Sequence, residues 1–279
     1  MIAVTISNAH QKGTPIDLIN SIKEAGFEHV FVEWYNKDWE ISQQQQLDYA
    51  REAGLNVLFA HLGYQKINNI WLEGEEGEGF VERYKNDLKL CHENDIDLVC
   101  MHLTSKSEAP EPNEAGLRRF QEIADYAKEL GIKIAFENTE GEEYLFALMD
   151  AFKDNESVGF CWDSGHEMCY NHSKDLLAMF GDRLIATHIN DNLGIKDYNG
   201  EITYLDDLHL LPFDGIADWD YNTKRLLLAN CPEILTFELT RNSKRDRHDN
   251  DIYKKMDITD YISECYKRAC RVAAKLTIR

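Results

Sequence analysis

Eight short apolar runs recur along this chain, and longer amphipathic segments separate them. The runs are Ile2–Ile6, His29–Glu33, Asn56–His61, Asp97–His102, Ile132–Glu137, Ser157–Asp163, Leu184–Ile189 and Ile234–Leu239. Their length and their β-branched or aromatic content suit buried strands. The intervening periodicity predicts helices over Pro15–Ala25, Ser42–Ala53, Phe80–Asn94, Glu114–Leu130, Tyr221–Ala229 and Asp257–Ala274. Gly26, Gly54 and Gly131 fall where helix C-caps belong, and Pro15 and Pro112 sit near helix starts. A strand followed by a helix, eight times over, leaves few solutions. The expected fold is α/β, a single (β/α)8 TIM barrel over residues 1–279. A doubly wound open sheet shares the alternation and is the alternative. No linker or composition break divides the chain. Two polar stretches depart from the rhythm: Leu72–Phe80, acidic and Gly-rich, and Asp191–Asp220, a long insertion after the seventh run. Long loops inside compact domains are usually functional or mobile.

The last four runs each deliver a metal-type ligand. They read IAFE at Glu137, VGFCWD at Asp163, LIATH at His188 and ILTFE at Glu238. An unpaired ion at the end of a buried strand is costly to desolvate. Four such endings in order point to one polar site at the carboxyl ends of parallel strands, where barrels carry their active sites. The third and fourth runs end in His61 and His102. A D-x-x-H pattern joins Asp163 to His166, and a D-x-H pattern in the long insertion joins Asp207 to His209. Mixed carboxylate and imidazole donors suit Zn²⁺, Mn²⁺ or Co²⁺. Cysteine is absent from the set, which argues against a structural zinc cage. Each residue alone has a plainer reading: a hydrogen-bonded strand-end histidine, Asp163 as a helix N-cap, Glu137 or Glu238 in an ion pair. Taken together, those readings would all have to hold at once.

Composition narrows the partners. The chain carries 30 basic and 50 acidic residues, a formal charge of −20. That balance disfavours non-specific binding to DNA or anionic membranes. Its 7 scattered cysteines form no C-x-x-C pair and read as reduced thiols, so a cytoplasmic protein is expected. The start, MIAVTISNAH, lacks the basic n-region and apolar core of a signal peptide. No stretch is long and apolar enough to span a bilayer.

The segments IAFENTEG, VGFCWDSGH, THINDN, DDLHLLPFDG and LTFELT resemble the motifs of the xylose-isomerase-like barrels. That superfamily contains sugar and sugar-phosphate isomerases and epimerases, and the endonuclease-four type apurinic endonucleases. The motifs run from about the third strand to the eighth and cover most of the chain. The resemblance implies a (β/α)8 fold with a divalent metal at its mouth. In the isomerase and epimerase branch, positions matching Glu137, Asp163, His188 and Glu238 hold one metal. The two glutamates move protons on either side of a keto-sugar carbon, and the position matching His166 contacts substrate. In the endonuclease branch, positions matching His61, His102, Glu137, Asp163, His166, His188, Asp207, His209 and Glu238 bind three zinc ions. H-x-x-Y at His61–Tyr64 and E-N-T at Glu137–Thr139 also resemble that branch.

The isomerase or epimerase branch is the expectation. A metal chelated by a keto group and a neighbouring hydroxyl acidifies the adjacent C–H, which a nearby carboxylate can then deprotonate. Glu137 and Glu238 are the catalytic candidates. His61, His102, His166, Trp34, Trp162, Arg241 and Arg245 are the substrate-binding candidates, with Phe136 as another aromatic near a strand end. Core packing is the alternative for the aromatics. Lys244, Arg245 and Arg247 either hold a substrate phosphate or form a solvated charge run. The endonuclease alternative needs a basic face. Arg241–His248 is the clearest basic cluster, whereas Glu33, Glu73, Glu75, Glu76 and Glu78 make the loops after strands two and three acidic. The segment HLLPFDGIADWD also looks more like the isomerase-type members. A second alternative is a barrel that binds metal or sugar without turnover. The expected partner is a small-molecule sugar or sugar phosphate, with nucleic acid and membrane disfavoured and a homo-oligomer left open.

Overall fold

The structure, a computed structural model, describes residues 1–6, 14–34, 41–105, 109–195 and 203–277. Eight strands form one sheet: β1 (Ile2–Ile6), β2 (His29–Glu33), β3 (Asn56–His61), β4 (Leu98–Met101), β5 (Lys133–Glu137), β6 (Val158–Asp163), β7 (Leu184–His188) and β8 (Leu235–Phe237). Neighbours run in the order β7-β6-β5-β4-β3-β2-β1-β8, and every strand pairing is parallel. A parallel bridge between Ile189 and Phe237 joins the two ends. The sheet therefore closes into a single (β/α)8 barrel, and the open doubly wound alternative falls away.

The helices are α1 (Pro15–Ala25), α2 (Gln43–Glu52), α3 (Glu75–Glu93), α4 (Glu114–Glu129), α5 (Glu142–Ala151), α6 (Ser164–Cys169), α7 (Leu176–Phe180), α8 (Trp219–Leu228), α9 (Asp251–Lys254) and α10 (Ile258–Thr277). Local chemistry sets their ends. Thr14 and Asp17 form a capping box at the start of α1, and Gly26 ends that helix at φ 106°, a left-handed conformation that costs glycine little. Among the described residues no helix is long and apolar enough to cross a membrane.

Helices α5, α6, α7 and α9 lie outside the sequence reading, and α3 starts earlier than that reading placed it. The acidic stretch Leu72–Phe80 is not all loop, because α3 begins at Glu75. Carboxylates are favoured in a helix's first turn, and Glu75, Glu76 and Glu78 occupy it. The buried Arg119 fixes that turn by donating to Glu78 Oε1 at 3.1 Å and to the Ile70 carbonyl at 2.9 Å. Helix α5 carried no start signal, since its N-cap is Gly141 with no side-chain cap; its hold is the packing of Tyr144, Leu145, Leu148 and Met149.

Strand parity separates two apolar layers. Phe31, Phe59, Cys100, Ala135, Cys161 and Ala186 plug the barrel interior, with Phe31 and Phe59 stacked at 4.7 Å. The alternate residues of the same strands, including Val30, Val32, Phe136, Phe160 and Trp162, pack outward in the large cluster between sheet and helices. Two residues beyond each plug residue lies the barrel mouth, so Glu33, His61, His102, Glu137, Asp163 and His188 follow from the plug by the strand's period of two.

The β7–β8 seam is thin and relies on threonine hydroxyls. Thr187 Oγ1 accepts from the Thr236 amide at 3.0 Å, and the Thr236 hydroxyl donates to the Thr187 carbonyl. Beyond them, Ile189 N–H donates to the Thr236 carbonyl at 2.8 Å and Glu238 N–H to the Ile189 carbonyl at 3.3 Å. Both threonines are buried. Thr187→Val keeps the shape and strands the Thr236 amide. Its expected cost is about 1–3 kcal/mol in urea denaturation, with Thr187→Ser close to the parent.

Candidate metal and active site

Glu137, at the end of β5, is the hub of the mouth and has zero exposure. His188 Nδ1 lies 2.9 Å and His166 Nδ1 3.2 Å from its Oε1. His61 Nε2 lies 3.2 Å and His102 Nε2 3.3 Å from its Oε2. Glu238 reaches the same imidazole nitrogen, with Oε2 at 3.2 Å from His188 Nδ1. Asp163 caps α6 by accepting from the His166 amide at 2.6 Å. The N-cap reading of Asp163 therefore holds, and the same carboxylate also faces the mouth. One donor atom from each of Glu137, Asp163, His188 and Glu238 lies within 4.8 Å of the others. His166, Asp207 and His209 form a second such group, with His209 Nε2 at 2.9 Å and His166 Nε2 at 3.4 Å from Asp207 Oδ1.

Local sequence explains the placement. Gly165, inside the D-x-x-H pattern, leaves room for Asn190: a Cβ there would stand 1.9 Å from Asn190 Oδ1. Asn190 Nδ2 then donates to both Asp163 oxygens, at 3.1 and 2.9 Å. Asp207 and His209 come from the long insertion, of which residues 196–202 lie outside the described residues. Asp191, fully buried, organises the rest of it. Its carboxylate accepts from the amides of Phe213 at 2.8 Å and Ala217 at 3.0 Å, and from Trp219 Nε1 at 2.9 Å. His209 sits at φ 46°, an uncommon conformation for a residue with a side chain, and its Nδ1 lies 3.2 Å from the Glu238 carbonyl.

The electrostatics are those of a carboxylate cluster balanced by imidazolium. Burial opposes the charge on Glu137, but His188 and His102 hold its carboxyl well below the usual range. Burial also opposes the charge on His188, which Cys161, Glu137 and Glu238 push well above the ordinary imidazole value. Asp207 and Glu238 overcome burial at His209 and lift it to about 9. Burial raises Asp163 to about 6, against the pull of His166 and His209. The donors fit a divalent cation: buried carboxylates and imidazoles converge on one point, and His188 Nε2 and His102 Nδ1 are buried without a hydrogen-bond partner.

All nine candidate ligands converge on this mouth. Several proposed substrate contacts do not. Trp162 and Phe136 have the opposite strand parity and point into the helix layer. Trp162 donates its indole N–H to Glu167 at 3.0 Å, and Phe136 packs on Phe120 and Phe152. Trp34 is buried in the outer cluster with its indole nitrogen unpartnered. Arg241 is buried against the Tyr261 ring and donates to the Lys254 carbonyl at 3.0 Å, anchoring the last helices. Arg245 lies out in solvent, 3.7 Å from Asp246. Arg247 is held by Asp206 and Asp249, at 3.2 and 2.7 Å. Of the three cations suggested for a phosphate, Lys244 alone reaches the candidate ligands, 3.3 Å from Asp207.

The sequence reading missed Glu33 as a site residue. HVFVE ends in a carboxylate just as the later runs do, and Glu33 is the register partner of His61. Burial and then Glu238 raise its carboxyl to about 7. Tyr64, beyond His61, stacks on His102 with ring centroids 4.1 Å apart.

Comparison with known proteins agrees with this fold. A family model described as the xylose isomerase-like TIM barrel matches residues 19–257. The chain belongs to that family. It is 32% identical over 212 residues to the uncharacterized protein y4fM of Sinorhizobium fredii, covering 71% of this chain and 61% of that protein's length. Among solved structures, a xylose isomerase-like TIM barrel/4-hydroxyphenylpyruvate dioxygenase fusion protein superposes with TM-score 0.77 at 14% identity, over 99% of this chain and 43% of that one. The IolI protein with a binding zinc atom gives 0.74 at 17% identity, over 99% of both chains. D-Psicose 3-epimerase from Clostridium cellulolyticum H10, solved with D-tagatose, gives 0.69 at 13% identity, again over 99% of both.

The charge balance has a sign that can be measured. Asp163, Glu33 and His209, lifted to about 6, 7 and 9, hold protons in the folded state that the unfolded chain has already released. Their protonated forms stabilise the fold at low pH, and that stability is lost as pH rises through each folded value. Carboxyls held low, such as Glu137 and Asp207, lose their contribution only below the ordinary carboxylate range. Chelator-treated protein is therefore expected to melt several degrees lower at pH 9 than at pH 6 in circular dichroism. A level or rising Tm over that range would contradict the assignment.

Proposed function

We propose that this protein is a divalent-metal-dependent isomerase or epimerase of small sugars. The observation that carries the reading is the pair of carboxylates, Glu137 and Glu238, that approach His188 Nδ1 from β5 and from the end of β8, at 2.9 and 3.2 Å. Glu137, Asp163, His188 and Glu238 are the residues that would hold the ion. Bound there, a Zn²⁺, Mn²⁺ or Co²⁺ ion would supply Lewis acidity to a substrate keto oxygen and so acidify the neighbouring C–H. Glu137 and Glu238 then act as two carboxylates flanking that carbon. One takes its proton, and the other returns a proton to the opposite face or the adjacent atom. His188 and His102 keep Glu137 ionised and ready to accept. His61, His102 and His166 line the mouth where sugar hydroxyls dock. Similarity in fold to a zinc-bearing protein and to a sugar 3-epimerase supports the reading. A free sugar is favoured over a phosphate ester, because Arg245 and Arg247 do not converge with Lys244.

The endonuclease reading keeps one observation in its favour: nine candidate ligands meet, and His166, Asp207 and His209 form a group of their own. Against it, Lys244 already compensates Asp207 at 3.3 Å. Metal analysis followed by assay on a ketose panel and an abasic-site duplex decides between them. One ion per chain with C–H exchange on a ketose is the expected outcome. Three zincs with strand cleavage would overturn it, and bound metal with neither activity would point to a binding barrel. Glu238→Gln is expected to slow deuterium wash-in from D₂O, followed by NMR, at least ~100-fold. Unchanged wash-in would refute the role of Glu238.

A further inference from the structure

Below the carboxylate mouth, the barrel interior offers a donor of different chemistry. Cys100 is fully buried in the interior plug, two residues before His102. Its Sγ lies 3.6 Å from Glu137 Oε2, the oxygen that His61 Nε2 approaches to 3.2 Å. One donor atom from each of His61, Cys100, Glu137 and His188 lies within 4.8 Å of the others. Tetrahedral ligands at roughly 2.0–2.3 Å from an ion stand about 3.3–3.8 Å apart, a spacing that the Cys100–Glu137 and His61–Glu137 pairs already approach at 3.6 and 3.2 Å. His188 sits among the plug side chains, its ring stacked on Phe31 at 5.0 Å and on His61 at 5.3 Å. Its Nε2 is buried and meets no partner at hydrogen-bond geometry, although the Cys161 thiol stands near enough to act on the ring.

We propose that His61, Cys100, Glu137 and His188 form a second, sulfur-containing cation pocket beneath the mouth, selective for thiophilic ions such as Cd²⁺ and Zn²⁺. Thiolate is a soft donor and imidazole a borderline one, whereas the mouth above is richer in carboxylate oxygen. Binding converts the Cys100 thiol to thiolate and releases its proton to solvent. The pocket shares Glu137 and His188 with the quartet, so an ion in the lower set withdraws two ligands from the upper one. Soft ions therefore inhibit the reaction that the upper site performs. That inhibitory half rests on the proposed function; the binding half stands without it. The alternative is a cysteine that serves as a small apolar filler of the plug.

Cadmium titration of the full-length, chelator-treated protein tests the pocket. Thiolate-to-metal charge-transfer absorption and cadmium-edge X-ray absorption are the readouts, neither of which depends on turnover. The first equivalent of Cd²⁺ is expected to give the band and one sulfur scatterer. Cys100→Ser should abolish both, while Cys161→Ser and the exposed Cys270→Ser keep them. Glu238→Gln should also keep the band, because Glu238 lies outside the lower set. A failed proton-exchange assay then leaves this result standing. Only nitrogen and oxygen scatterers in the parent protein, or a band that survives Cys100→Ser or vanishes in Cys161→Ser, would overturn the proposal. X-ray absorption on the parent decides it even if Cys100→Ser does not fold. Where ketose turnover is present, Cd²⁺ is expected to inhibit Cys100→Ser at least ten-fold more weakly than the parent. Equal inhibition would remove the inhibitory half.

Discussion

Burying one carboxylate imposes the arrangement of everything around it. Glu137 has no exposure, and an isolated ion in that position is costly enough to unfold the barrel. Its two oxygens are instead surrounded by imidazoles from four separate places in the chain: His61 on β3, His102 beyond β4, His166 on α6 and His188 on β7. No local segment could supply them. Only a closed barrel, whose strand ends point to one mouth, brings residues so distant in sequence to a single carboxylate. The same geometry gathers further negative charge from Asp163, Asp207, Glu238 and Glu33, so the site needs positive charge from protons or from a cation. That need connects the pH dependence of the fold to its capacity for metal.

Much of this was legible before any coordinates, for identifiable reasons. All eight strands were legible because parallel strands covered on both faces read as continuous apolar runs. Most of the residues that meet at the mouth were legible because they stand at the ends of such runs, where a charge is conspicuous, whereas His166, Asp207 and His209 came only from short D-x-x-H and D-x-H patterns. Parity was the information left unused. Asp163 faces the mouth, so its neighbour Trp162 must face away, and Phe136 stands in the same relation to Glu137. Applied to HVFVE, the same rule picks out Glu33. The fate of Arg241 was not legible, because its burial depends on Tyr261 in α10, and no local pattern reports a contact across that separation. Helix α5 was equally silent, since its hold is packing and its cap is a glycine.

The long insertion shows a different limit. Its length set it apart from the other loops, and its D-x-H pattern marked Asp207 and His209, which reach the mouth. The C-terminal part of its described residues is gathered by one buried side chain, Asp191, which accepts from the Phe213 and Ala217 amides and the Trp219 indole N–H, up to 28 residues away. An aspartate in a polar stretch carries no signal of such a role in the sequence. Asp207 and His209 are held more directly, by Lys244 at 3.3 Å from Asp207 and by the Glu238 carbonyl at 3.2 Å from His209 Nδ1.

The thin join between β7 and β8 has a consequence for the cylinder as a whole. His188 ends the strand on one side of that join, and Glu238 follows the strand on the other, 3.2 Å apart. A cation gripped by both acts as a rivet across the place where the stave wall is least hydrogen-bonded. Removing such a cation from the mouth would then also loosen the hoop at its thinnest seam.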